Sequence, residues 1–99
     1  MEVSRAATRK LAAHIAFVAR VNQAAALRLH EEILADMRGL ENHPAIHPPY
    51  DSDRFPDLGL RRKITARRYR LVFAIREEEK LVTVVDVQDC RQGEGKNLV

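Results

Sequence analysis

The sequence predicts an α+β fold: a helical hairpin packed on a small antiparallel β-sheet, in a single domain spanning 1–99. Three observations carry that expectation. Apolar residues recur at helical spacing through the first 40 positions; a proline-bearing stretch then breaks the pattern; after Gly59 the period shortens to two, as it does along half-buried strands.

Ser4 is a good helix N-cap, and behind it Ala7, Leu11, Ile15, Val18 and Val21 fall on one face of a helix over about 5–20. Asn22 can cap a second helix, with Ala26, Leu29, Ile33, Met37 and Leu40 as its apolar stripe and Gly39 near its expected stop. A two-residue break between two such helices makes a hairpin. From Glu41 to Gly59 the chain holds all four of its prolines and no helical period, so it reads as a long loop with room for one helical turn. Leu60, Arg62 and Ile64 then alternate with Arg61, Lys63 and Thr65. Next, Tyr69, Leu71, Phe73 and Ile75 alternate with Arg68, Arg70, Val72 and Ala74, and the first set is expected against the helices. Glu77, Glu78 and Glu79 supply a polar turn, and 81–87 (LVTVVDV) is rich in β-branched residues. Three consecutive strands make an antiparallel meander, while Glu2 and Val3 alone are too short to define another.

Charge is unevenly placed. The ten residues 61–70 (RRKITARRYR) carry six positive charges and no negative one, whereas the remaining 89 carry 11 basic against 14 acidic side chains. A concentration of this kind suits a polyanion, because Lys and Arg approaching phosphates release condensed counterions. Alternation turns Arg68 and Arg70 away from the helices and keeps Arg61 and Lys63 together on one face. Arg70 stands out, since it occupies a mid-strand position that β-propensity would give to a β-branched residue.

Other chemistries find little support. No apolar run approaches the roughly 20 residues needed to span a bilayer, and the start, MEVSRAATRK, has no apolar stretch of a secretory signal. No membrane association is expected, and a cytoplasmic location is. The single cysteine, Cys90, excludes an internal disulfide and reads as a partly buried structural thiol. No HExxH motif is present, and His43 and His47, though spaced as HxxxH, lie in a proline-bearing loop rather than on a helix, so neither a metal nor a cofactor is expected. There is no Gly-rich phosphate loop and no nucleophile elbow. A cluster of guanidinium and ammonium groups remains, suited to stabilising the charge that builds on a phosphodiester when a ribose 2'-OH attacks it.

The order of elements, the LRRKI strand, the Tyr69-Arg70-Leu71-Val72-Phe73 strand and the closing VTVVDVQDCRQ together resemble the RelE/ParE family of type II toxin-antitoxin toxins, the plasmid-stabilisation toxins. The resemblance covers nearly the whole chain. It implies a leading N-terminal strand, for which only Met1 to Val3 are left. It also implies the toxin component of a toxin-antitoxin system. The leading expectation is a ribosome-dependent mRNA interferase; a ParE-type DNA gyrase inhibitor without nuclease activity and a non-catalytic RNA- or protein-binding domain are the alternatives. As an interferase, the chain would have Arg70, Lys63 and Arg91 as catalytic residues, and Arg61, Arg62, Arg67 and Arg68 would bind RNA. Many interferases carry a Tyr or His near the C-terminus, where this chain reads GEGKNLV; Lys96 is a weak substitute, and Asp89 can act as a base or orient Arg91. The implied partners are a cognate antitoxin, drawn to 61–70 and docking on helix 1 near Phe17, together with ribosome and mRNA or with gyrase.

Overall fold

Ser4 begins the first helix and ties it to the far end of the chain. Its Oγ accepts the Ala7 N–H at 3.0 Å, capping α1 (Arg5–Ala19), while its own N–H donates to the Val84 carbonyl at 2.8 Å and its hydroxyl to that of Val85 at 3.3 Å. In this computed structural model, which describes residues 1–51 and 59–92, Asn22 caps α2 (Gln23–Gly39) through the Ala25 N–H in the same way. Ala7 and Leu11 of α1 and Ala26, Ile33 and Met37 of α2 are buried as their spacing predicts. Val21 is not: it lies beyond the end of α1 and is 88% exposed, so the stripe stops at Val18. The expected helical turn in the loop is a 3₁₀ turn at Pro44–Ile46.

The sheet has four strands in the order β1-β4-β3-β2. β2 (Arg61–Thr65), β3 (Tyr69–Arg76) and β4 (Leu81–Asp89) form the antiparallel meander. β1 (Glu2–Val3) pairs with β4 in parallel, supplying the short leading strand and making the sheet mixed. The β3–β4 register slips between Val72 and Phe73: Val72 faces Asp86 and Phe73 faces Val84, leaving Val85 as the extra bulge residue. Its carbonyl is the one that takes the Ser4 hydroxyl.

Ala7, Leu11, Ile33, Met37 and Leu40 pack against Tyr69, Leu71, Phe73, Val82, Val84 and Val87 in one core, with Ile75 at its margin. The expected strand face is therefore the one the helices cover. The chain after the 3₁₀ turn does not idle on the surface. Pro49 bridges to Arg61, the Arg62 N–H donates to Pro48, and the Tyr50 N–H donates to Leu60 at 2.7 Å, so 48–50 runs beside the free edge of β2.

Candidate functional site

Directly opposed residues in antiparallel strands share a face, which assigns each cation of 61–70. Arg61 opposes Phe73, Lys63 opposes Leu71 and Thr65 opposes Tyr69, so Arg61 and Lys63 lie on the helix side of the sheet. Arg62 opposes Val72 and Ile64 opposes Arg70, placing Arg62 and Arg70 on the other face. The cationic segment is split between the two sides.

On the face away from the helices Arg70 is held at the end of a polar chain. Its Nη1 donates to Gln88 Oε1 at 3.0 Å and its guanidinium lies 5.7 Å from the centre of the Tyr50 ring. The Gln88 amide in turn donates to the Tyr50 hydroxyl and to Asp86, both at 3.0 Å, and Lys10 from α1 reaches Asp86 at 2.9 Å. Gln88 is 3% exposed, so this network is shielded and its bonds fix the direction of Arg70. The Arg70 Nε is buried and makes no hydrogen bond among the described residues. Arg62 is exposed beside it.

On the helix side Arg61 and Lys63 meet the loop. The Arg61 Nη1 donates to the His47 carbonyl at 2.7 Å, and the His47 ring packs edge-on against Phe73 with centroids 5.7 Å apart. Lys63 lines a cavity of about 300 Å³ with Ala35, Asp36, His43, Ile46 and His47. Thr65 donates its hydroxyl to Asp36 at 2.5 Å, holding α2 to β2. Desolvation, then the nearby Lys63 and Arg61 charges, hold the His47 pKa below its ordinary value.

Arg91 occupies a third place. Its backbone N–H donates to Asp89 Oδ1 at 3.0 Å and its Nε lies 3.5 Å from the same oxygen, so buried Asp89 does orient Arg91. Both line a cavity of about 420 Å³ with Ala13, His14, Phe17 and Tyr69. His14 Nε2 donates to the Val87 carbonyl at 2.8 Å, and its ring tilts against Tyr69 at 5.1 Å. Tyr69, 1% exposed, is a core residue; Phe17, 62% exposed, is not.

Arg68 departs from the alternation expected of it. Ala66 and Arg67 adopt positive φ (51° and 67°), which closes a tight turn and leaves Arg68 in that turn rather than in β3. Its Nη2 donates to the Tyr69 hydroxyl at 2.9 Å and its guanidinium lies 5.1 Å from that ring, apart from Arg70. Arg67 is exposed at the turn. Arg70, Lys63 and Arg91 thus stand on two faces and at a strand end. Lys96 lies outside the described residues. Cys90 is partly buried, and among the described residues no three His, Cys, Asp or Glu side chains gather as a metal site. No helix there is long and apolar enough to cross a membrane.

The described residues form a small α+β fold, a two-helix hairpin laid on a short mixed sheet, with cations crowded on one hairpin of strands. The family model described as "ParE toxin of type II toxin-antitoxin system, parDE" matches residues 1–93, and the chain belongs to that family. A solved structure described as "Chromosomal ParDE TA system from P. aeruginosa" superposes with a TM-score of 0.70 over 89% of this chain and 91% of that one, at 17% identity, a likeness of fold. No curated protein sequence matches the chain.

Proposed function

We propose that this toxin acts by binding rather than by cutting, as a ParE-type inhibitor of DNA gyrase held in check by an acidic cognate antitoxin. The observation that carries this reading is the dispersal of Arg70, Lys63 and Arg91. Stabilising a phosphorane requires cations preorganised around one phosphate, and the opposed faces of a sheet cannot offer that to a single group. Membership of the ParE toxin family supports it too. Arg62 and Arg70, on one face and beside exposed Ile64, provide a cationic and partly apolar surface for a macromolecular partner. Arg67 and Arg68 at the adjoining turn add steering charge. Gyrase is a cytoplasmic target, which agrees with the expected location.

The test is a pair of assays on purified toxin. Supercoiling by gyrase should be inhibited, with cleaved DNA complexes accumulating, while ribosome-bound mRNA stays intact. Cutting of that mRNA, lost in Arg70→Ala, would instead establish the interferase reading.

A further inference from the structure

We propose that the cavity between the C-terminal half of α2, the His43–His47 turn and β2 binds a ribose phosphate, with Lys63 and His47 on the phosphate and Asp36 on a sugar hydroxyl. This goes beyond the inhibitory role and uses the opposite side of the sheet from Arg70.

Three features argue for an anion here. Neither Lys63 nor Arg61 makes an ion pair among the described residues, and the carboxylate on the cavity wall, Asp36, is engaged by Thr65 instead. Arg61 grips the His47 carbonyl and fixes the loop that carries the imidazole to Lys63. Burial first, and then both cations, disfavour a proton on His47, and a bound dianion would offset the cations' share by giving the imidazolium a partner. His43 lines the same wall and offers a further ring nitrogen.

Asp36 makes the ligand more than a bare phosphate. Its carboxylate faces the same cavity and would repel an anion placed against it. Thr65 supplies it with one hydrogen bond, and a carboxylate has room for more. A vicinal hydroxyl is the neutral donor that suits it, and a ribose ring carries such hydroxyls a few ångströms from its phosphate. About 300 Å³ lies at the lower end of ligand cavities, enough for a sugar phosphate. The groups that face His47 are Lys63 and Arg61 from β2, Asp36 from α2, His43 from its own turn and the Phe73 ring from β3. Binding should therefore be accompanied by proton uptake at His47 at pH values where the phosphate is still a dianion, above its second pKa of about 6.

The experiment follows the His47 ring resonances of the full chain by NMR, in phosphate-free buffer, during addition of ribose 5-phosphate, inorganic phosphate, ribose, or a 5'-phosphorylated oligoribonucleotide. Ribose 5-phosphate should shift them, raise the His47 pKa and bind more tightly than inorganic phosphate, while ribose alone leaves them still. Tighter binding of the oligonucleotide identifies an RNA end as the source of the group; binding of the sugar phosphate alone identifies a free metabolite. Lys63→Met should weaken binding by about tenfold or more, the scale of one charge-assisted hydrogen bond. Asp36→Asn, which keeps an acceptor for Thr65, should erase the preference for ribose 5-phosphate over inorganic phosphate. The proposal is overturned if neither phosphate compound moves the His47 resonances, or if binding survives Lys63→Met undiminished. Gyrase inhibition is scored separately, so the failure of one reading is distinguishable from the failure of the other.

Discussion

Among the described residues, His47 is the one whose surroundings displace its titration. Burial and the flanking Lys63 and Arg61 lower its pKa in the folded protein, whereas the unfolded chain titrates near the ordinary value of about 6.5. The unfolded state thus takes up the proton first. Stability is unaffected above that pH and declines as pH falls through the ordinary pKa toward the lower folded one. Urea midpoints for this protein in phosphate-free buffer should drop between pH 7.5 and pH 5, and the drop should be smaller in His47→Gln. An equal drop in the two would remove His47 from the account. Arg70 poses a different problem at the same scale. Its direction depends on Gln88, which is itself fixed by Tyr50 and Asp86. Gln88→Leu should keep the strand buried and reduce target inhibition, with far-UV circular dichroism unchanged; full inhibition by that variant would show that Arg70 needs no such support.

Among the elements, α1 draws on Ser4 both for its start and for one of its ties to β4, beside the Lys10–Asp86 and His14–Val87 contacts. Replacing a Ser cap by Ala typically costs about 1 kcal/mol, and Ser4→Ala also deletes the hydroxyl donated to the Val85 carbonyl. A loss of about 1–2 kcal/mol in chemical denaturation is expected. Thr8→Ala is the comparison and should cost far less, since that hydroxyl is exposed and bonded only to the Ser4 carbonyl. The helices, the strands and the buried face of β3 were legible because burial imposes its period on the residues that make it. The distribution of the cations was not. Thr65 pairs with Tyr69 across a turn of three residues, so odd-numbered positions of β2 face odd-numbered positions of β3. A turn shorter or longer by one would have put Lys63 beside Arg70. That parity is set by positive φ at Ala66 and Arg67, for which neither residue type is a signal. The roles of Tyr50, His47 and Asp36 were hidden for another reason: each meets its partner across more than ten residues of chain, beyond the reach of any periodic pattern.

At the scale of the molecule, the last strand is the one everything else needs. β4 lies between β1 and β3, takes the Ser4 contacts from the start of the chain and packs on α1. A chain ending at Arg76 would keep the hairpin but leave Leu11 of α1 and Leu71 and Phe73 of β3 without Val82, Val84 and Val87. It should show no cooperative unfolding transition in thermal or urea denaturation; a sharp transition would mean that the helices and β2–β3 suffice. Ser4 and Val85 are 81 positions apart, so the closing contacts are among the slowest to be found in folding. For a cell that makes a poison, this ordering is a safeguard. While the chain is still being translated and β4 is absent, the surface proposed to inhibit has not yet been folded into place. On the proposed reading, activity waits for β4 to be made, which leaves an antitoxin the time of that synthesis to be ready.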